Sequence, residues 1–305
     1  MNNSYKRRKD FEMIGWALVL SQLTMFFLSV VLSITASSLL HIISPLRRTW
    51  GLIEGYIVMF SAVGGAIPML MAGVNNGSIV NITERREKAW PVQVIMMFFV
   101  IMGLQQLTSI AIQPIVDLLE KIGMSFSQAN EVATSSGGSS SMILYSVIIA
   151  PICEEVLYRG VLLRSLEKYG KWFAIVISAL VFGLMHANAA QFFVAVVIGL
   201  VFGYLALKYS IKLTIVLHMM NNLSVEILGN LYEYNQHISS MISVSFLIVG
   251  IATILLMIMS AGKPLIRDMK SNRTKKGTYI SFFACKPVFV VFVYMIAMTV
   301  ASILT

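Results

Sequence analysis

The chain has 305 residues, of which 57% are hydrophobic and 12% charged, and its mean hydropathy is +0.81. Soluble globular domains carry about a quarter charged residues, so this composition excludes that class and indicates a polytopic membrane protein. The formal net charge of +9 does not indicate a nucleic-acid partner here, because in membrane proteins a basic excess marks the loops on one side of the bilayer.

Nine apolar stretches are candidates for membrane spans, each of which needs about 20 residues of helix. The first follows a basic N-terminus but is too long for a signal peptide and has no convincing cleavage site, so we expect an uncleaved span. The stretch at 212–230 is short, which leaves eight crossings open beside nine. The stretches are 12–36, 51–74, 91–115, 142–163, 172–188, 191–207, 212–230, 241–260 and 280–304.

The positions of the basic residues indicate how these spans are oriented. With the N-terminus in the cytoplasm and alternating spans, 18 of the 23 Lys and Arg residues fall on the cytoplasmic side, as the positive-inside rule requires. Arg47, Arg48 and Lys121 then lie outside, and Arg159 and Lys286 lie within spans. We therefore predict an all-α membrane helix bundle of eight or nine transmembrane helices, with a cytoplasmic N-terminus and an external C-terminus.

The predicted organisation is a single membrane domain over residues 1–305, because no hydrophilic stretch is long enough for a separate soluble domain. Its parts are N-terminal helices over 12–115, a central region over 142–230 and C-terminal helices over 241–304. An external connector at 114–141 begins with helical spacing and ends in a Ser/Gly tether. A cytoplasmic basic loop is predicted at 262–278.

Small residues in the spans suggest helix contacts. Gly199 and Gly203, four residues apart, favour the close approach of a neighbouring helix. Cys153 and Cys285 both fall in predicted spans, and two distant cysteines give neither a disulfide framework nor a metal-ligand spacing. We expect both to be small buried hydrophobic residues.

Three polar clusters interrupt three of the spans of the central region. They comprise, in chain order, Glu154 with Glu155 and Arg159, Phe182 with His186, and His218 with Asn222. A Glu-Arg pair can serve structure alone, and a lone histidine in a membrane helix is often an interhelical hydrogen bonder. Ionisable residues inside spans are costly, however, and three clusters together indicate a functional site. The other histidines, His41 and His237, are predicted to lie in loops.

These clusters resemble the motifs of a known family. EEVLYR at Glu154–Arg159 fits E-E-x-x-x-R, FGLMH at Phe182–His186 fits F-x-x-x-H, and HMMNN beginning at His218 fits H-x-x-x-N. In this order along the chain, they are similar to the motifs of the CAAX prenyl endopeptidase and bacteriocin-processing family, also called the Abi family of intramembrane proteases. The resemblance covers about residues 142–230 and implies an endopeptidase.

Peptide hydrolysis needs a nucleophilic water and stabilisation of the developing oxyanion, and these residue types suit both tasks. We expect Glu154 to be the general base and His186 to hold or polarise the same water. His218 and Asn222 share a helix face and are expected to donate to the carbonyl oxygen as it gains charge. The family resemblance implies the same roles.

Glu155 and Arg159, also four residues apart, are expected to form a supporting pair that fixes the helix and tunes the site. A nucleophilic cysteine is disfavoured, because Cys153 and Glu154 are adjacent on a helix and diverge by about 100°. The serine run at 135–141 is predicted to be a loop and not a nucleophile elbow.

Zinc is the main mechanistic alternative. Glu154, His186 and His218 are also a plausible zinc-ligand set with an open position. The H-E-x-x-H helix of many zinc proteases is absent from the sequence, and Asn222 suits an oxyanion better than zinc. We therefore favour a metal-independent glutamate mechanism without a cofactor, with the zinc-dependent version kept open.

Two further function classes are compatible with buried polar residues. A proton-coupled transporter would use them as a relay, but it should show internal repeats, and none is evident. A bacteriocin self-immunity or peptide-binding protein is compatible with the same motifs, since the family includes immunity members. Family members cleave prenylated CAAX tails in eukaryotes. We expect a membrane-associated peptide or protein as substrate and an integral location in a bacterial plasma membrane.

Overall fold

The computed structural model describes residues 3–42, 50–80, 82–84, 86–126 and 139–304. Within these ranges every regular element is a helix. The helices are α1 (Asn3–Ile42), α2 (Trp50–Asn75), α3 (Pro91–Lys121), α4 (Ser140–Glu167), α5 (Lys171–Met185), α6 (Ala189–Lys208), α7 (Ile211–Tyr234), α8 (Gln236–Ser271), α9 (Lys276–Phe283) and α10 (Lys286–Ala301). The predicted all-α polytopic bundle is confirmed.

Most of these helices meet the length and apolarity that a bilayer requires. Among the described residues, α1 to α4 and α6 to α8 do so singly, which makes seven candidate spans, and α9 with α10 would make an eighth. The last two are bent by 78° at their junction, so residues 280–304 do not form the continuous span that the hydropathy predicts. Helix α5 has 15 residues. It therefore rises only about 22 Å, less than the roughly 30 Å hydrocarbon core.

Ion pairs between turns bring several helix ends together at one end of the bundle, here called the basic end. Arg86, which precedes α3, contacts Glu167 at the end of α4, with 2.8 Å between Nη1 and Oε1. Lys171 at the start of α5 contacts Asp268 near the end of α8, with 2.8 Å between Nζ and Oδ2. The ends of α4 and α8 and the starts of α3 and α5 therefore share one side of the molecule.

Backbone contacts define the opposite end. The Ala189 N–H, at the start of α6, donates to the Ser302 hydroxyl just after α10. The Ser125 N–H, after α3, donates to the Ile303 carbonyl. Helix α5 thus starts at the basic end and reaches the opposite end in spite of its length. Along the described residues the chain passes between the two ends nine times, if the bent α9–α10 pair counts as one pass.

Helix α5 forms the centre of the bundle. Phe173, Ile175, Ile177 and Val181 on successive faces of this helix have no exposed surface. A helix that is apolar all round is stable only when other elements surround it. Because protein and not lipid encloses α5, its length need not match the thickness of the bilayer.

Glycines set two close helix crossings. A Cβ on Gly199 of α6 would lie 3.0 Å from the Ala179 Cα of α5, so the predicted close approach of a neighbouring helix is confirmed. The crossing of α3 with α8 is closer still, because a Cβ on Gly250 would lie 2.4 Å from the Gly103 Cα. Only glycine permits such contact between helix backbones.

Several loop predictions are wrong. His41 lies in α1 and His237 lies in the first turn of α8, because both helices extend beyond the apolar stretches. The predicted basic loop at 262–278 is helical as far as Ser271 for the same reason. The helical spacing that begins at Pro114 is confirmed, because α3 continues as far as Lys121. The predicted serine loop at 135–141 is helical at its end, because Ser140 and Ser141 lie in the first turn of α4. Residues 127–138, with the rest of the Ser/Gly tether, and the pair Arg47 and Arg48 lie outside the described residues.

Candidate active site

Helix α4 carries the acidic motif and has an irregular backbone. Two of its stretches, Tyr145–Ile149 and Glu155–Leu163, are π-helical, with hydrogen bonds to the fifth residue back. The Ser178 hydroxyl of α5 donates to the Tyr158 carbonyl at 2.8 Å, and so supplies this widened turn with a partner from a neighbouring helix. π-Helical turns inside α-helices occur often at functional sites.

Glu155 and Arg159 form the predicted pair within the second π-helical stretch. Both side chains are fully buried, and Arg159 Nη1 lies 3.0 Å from Glu155 Oε1. The guanidinium carbon lies 4.2 Å from the ring centroid of Phe182 and 5.4 Å from that of Phe202. A buried cation needs compensation for lost hydration, and here one carboxylate and two aromatic rings contribute to it.

His218 of α7 connects the two adjacent glutamates of α4. Its Nδ1 lies 3.1 Å from Glu155 Oε1, and its Nε2 lies 3.7 Å from Glu154 Oε2. The side chain of Glu155 has no exposed surface, whereas that of Glu154 is 25% exposed. The contacts therefore run from Arg159 through Glu155 and His218 to Glu154, and of the two carboxylates Glu154 is the one accessible from outside.

His186 directly follows α5 and is oriented by the end of that helix. Its Nδ1 lies 2.8 Å from the Phe182 carbonyl, which can only accept, so Nδ1 carries the proton of this hydrogen bond. In the neutral ring Nε2 then keeps a free lone pair. The next residue, Ala187, has a φ of +47°, in the left-handed region that is costly for a residue with a Cβ.

The Phe182 ring links the histidines. Its centroid lies 5.0 Å from that of His186 and 5.8 Å from that of His218, in edge-to-face arrangements. The same ring lies against the Arg159 guanidinium. Phe182 thus connects its own cluster with the other two that the sequence singles out.

Asn222 lies one helical turn after His218 and contacts the first π-helical stretch of α4. Its amide nitrogen donates to the Ser146 carbonyl at 2.8 Å. Its Oδ1 accepts from the amide of the buried Asn221 at 3.3 Å. These two contacts fix the orientation of the Asn222 side chain.

The residues of the zinc alternative are only partly assembled. Glu154 and His218 lie close together. Across the described ranges, no three His, Cys, Asp or Glu side chains form a group that could hold a metal ion. A zinc site made of Glu154, His186 and His218 would therefore require His186 to move towards the other two.

Three contributors to the site are not identified from the sequence. Phe202 contacts both Arg159 and His218, but an aromatic residue in an apolar span carries no signal of its own. Ser146 contributes only its backbone carbonyl. Asn221 did carry a signal, because a buried amide inside a span needs a partner.

Comparison with known proteins gives two matches. Residues 137–224 match the family model described as "Type II CAAX prenyl endopeptidase Rce1-like". The chain is 35% identical over 89 residues to a Bacillus subtilis (strain 168) protein named "Putative membrane peptidase YdiL". That match covers 28% of this chain and 36% of the relative's length. No solved structure matches the chain.

The family match covers the part of the chain in which the polar clusters lie. All six predicted site residues, from Glu154 to Asn222, fall within residues 137–224. The matches, together with the apolar helices, identify an integral multi-pass membrane protein that is similar to membrane peptidases. Through its central helices, the chain is similar to the Rce1-like CAAX prenyl endopeptidases.

Proposed function

We propose that the chain is an intramembrane endopeptidase that hydrolyses a peptide bond of a membrane-associated peptide or protein. The observation that carries this proposal is the series of contacts from Arg159 through Glu155 and His218 to Glu154. Only the last residue of the series has an exposed side chain suited to contact water and substrate. A buried array with one accessible carboxylate is the arrangement that a positioned general base requires.

Glu154 takes a proton from a water molecule, and the resulting hydroxide attacks the carbonyl carbon of the peptide bond. The same proton then passes to the leaving amine as the C–N bond breaks. His186 supports this role, because its Nδ1 is engaged by the Phe182 carbonyl and its Nε2 is free to accept a hydrogen from the water.

His218 and Asn222 stabilise the oxyanion. Both nitrogens of the His218 ring face carboxylate oxygens, an arrangement that suits a doubly protonated ring with donors on both sides. Glu155 holds Nδ1 and directs Nε2 towards Glu154 and the substrate. Asn222 uses one amide hydrogen on Ser146, which leaves the second for the substrate oxygen.

A zinc-dependent version of the same hydrolysis would use Glu154, His186 and His218 as ligands. When bound, zinc would lower the pKa of a water molecule and polarise the substrate carbonyl. Glu155 would then orient His218 as a ligand through the same Nδ1 hydrogen bond. The two versions differ in their response to a chelator.

The test is cleavage of membrane-bound peptides by the full chain in proteoliposomes. We expect Glu154→Gln to lower the rate by at least about a hundredfold, because a general base contributes 10²–10⁴-fold. Glu120→Gln is the matched control, since this carboxylate is exposed at the end of α3. A strong chelator should leave the wild-type rate unchanged. Loss of cleavage with the chelator, and recovery with zinc, would establish the zinc version instead.

Other outcomes would refute the proposal. Equal cleavage by the wild type and by Glu154→Gln would remove Glu154 from the mechanism. If neither protein cleaves any peptide, but Glu154→Gln still protects cells against a bacteriocin, the chain is an immunity or peptide-binding protein. Proton uptake that depends on Glu154, without cleavage, would indicate a transporter.

A further inference from the structure

Two distant parts of the chain form a strongly basic surface at the basic end of the bundle. Residues 6–9 in the first turns of α1 are four consecutive Lys and Arg residues. Residues 263–276, which run from the last part of α8 to the start of α9, contain six basic residues and one acidic residue. We call these two segments the basic collar. Nine of its ten cationic side chains are exposed, and Arg7 is partly buried.

Contacts between α1 and α9 bring the two segments together. The Arg7 guanidinium donates to the Ser281 hydroxyl at 3.1 Å. One turn further along α1, the Phe11 ring packs against the Phe282 ring with 5.2 Å between centroids. The two segments, about 260 residues apart in sequence, therefore contribute to one surface.

The acidic residues next to the collar cations are engaged elsewhere. Asp10 contacts Lys168 and Tyr169, and Asp268 contacts Lys171. All three partners lie in the turn between α4 and α5 or at the first residue of α5, so these carboxylates face the bundle. Glu12 contacts Arg8 on the surface of α1. Among the described residues, the outward side of the collar is therefore predominantly cationic.

The position of the collar favours a membrane surface as its partner. Helix α8 has 36 residues and rises about 54 Å, so it extends beyond a hydrocarbon core of roughly 30 Å. Leu265, Ile266 and Met269 are exposed among the collar cations. Apolar side chains between cations suit the boundary between headgroups and acyl chains. A nucleic acid would gain nothing from them.

We infer that the basic collar is a binding surface for the headgroups of anionic phospholipids. Clusters of four to eight Lys or Arg residues next to a membrane helix attract anionic lipids, and each cation contributes roughly fivefold in affinity. The surface would bind lipid whether or not the chain is a peptidase. Bound headgroups would lie beside the α4–α5 turn, which Asp10 and Asp268 hold.

The test measures lipid binding to the purified full chain in a nonionic detergent. Native mass spectrometry counts the bound lipids while short-chain phosphatidylglycerol or phosphatidylcholine is titrated. We expect the wild type to prefer phosphatidylglycerol. The variant Lys263→Gln/Arg267→Gln/Lys270→Gln should lose up to about a hundredfold in that affinity, because three cations are removed. The second variant, Arg273→Gln/Lys275→Gln/Lys276→Gln, should behave in the same way.

A matched control distinguishes an effect of the collar on lipid affinity from an effect of the overall net charge of the protein. Lys88→Gln/Lys121→Gln/Lys212→Gln removes three exposed cations outside the collar and should keep the preference for phosphatidylglycerol. The inference is overturned if both collar variants keep the wild-type affinity, or if the control loses as much as they do. Full displacement of the lipid by equimolar glycerol phosphate would also overturn it, because a free phosphate would then be the ligand. So would tighter binding of an RNA oligonucleotide that the collar variants abolish.

Discussion

Glu154 and Glu155 are neighbours in the chain, but their surroundings give them different properties. Glu155 lies in a fully buried ion pair, and Glu154 retains a quarter of its exposure. A carboxylate that is already paired with Arg159 and hydrogen-bonded to His218 is poorly placed to accept a further proton from water. This difference supports the prediction that Glu155 has a supporting role and that Glu154 is the base.

The buried ion pair predicts a large loss of stability when only one partner is removed. Arg159→Leu would leave the Glu155 carboxylate in an apolar interior without its cation. We expect a loss of about 3–5 kcal/mol in the free energy of unfolding. Denaturant titration of the purified protein in detergent micelles, followed by tryptophan fluorescence, measures this loss.

Two comparisons make this prediction specific to the pair. Arg8→Leu removes a cation from the exposed Arg8–Glu12 pair and should cost far less than Arg159→Leu, because solvent screens an exposed pair. The double variant Glu155→Leu/Arg159→Leu removes both buried charges and should recover part of the loss. An Arg159→Leu variant as stable as Arg8→Leu would contradict the interpretation.

At the scale of the helices, the sequence predicts where the helices lie in the chain better than how they bend and pack. Hydropathy locates nearly every helix, because side chains that face lipid and side chains that face the core are both apolar. For the same reason it does not distinguish the enclosed α5 from a helix in contact with lipid. The break before α10 did leave a signal, since Lys286 and Pro287 mark the start of a new helix inside an apolar stretch.

In the candidate site, too, the sequence predicts some contacts and leaves others unpredicted. The four-residue spacing predicts the contact between Glu155 and Arg159, because such residues are neighbours on any helix. The contact between Glu155 and His218 joins residues 63 positions apart and depends on how α7 packs against α4. Spacing along one helix carries no information about this packing, so the position of His218 between two carboxylates was not predicted. The catalytic roles themselves stay predictions.

Because α3 and α8 cross closely, we predict that a single added methyl group lowers the stability of the protein. In Gly250→Ala the new Cβ would lie 2.4 Å from the Gly103 Cα, and a helix backbone cannot move aside as a flexible side chain can. We expect a loss of about 1–3 kcal/mol in the free energy of unfolding, measured by the same denaturant titration. Gly277→Ala is the control, since a Cβ there meets no atom within 4 Å. Equal stability of the two variants would show that the helices do not cross this closely.

At the scale of the whole molecule, the two ends of the bundle differ in charge. The collar and the turns before α3, between α4 and α5 and between α6 and α7 all lie at the basic end, whereas Lys121, the last residue of α3, lies towards the opposite end. Positive charge is retained in the cytoplasm during membrane insertion. The basic end is therefore predicted to be cytoplasmic, as is the N-terminus that belongs to it.

Labelling of single cysteines tests this orientation and the number of crossings together. In a background with Cys153→Ala and Cys285→Ala, a membrane-impermeant maleimide on intact cells should label Lys121→Cys and leave Lys88→Cys and Lys212→Cys unlabelled until the membrane is permeabilised. The reverse pattern would place the N-terminus outside.

Leu304→Cys, exposed after α10, distinguishes eight membrane crossings from nine. Nine passes predict that it labels with Lys121→Cys, because Ile303 accepts a hydrogen bond from Ser125 close to that residue. Labelling together with Lys88→Cys would mean an even number of crossings and would contradict the passage of α5, or of the bent α9–α10 pair, across the membrane.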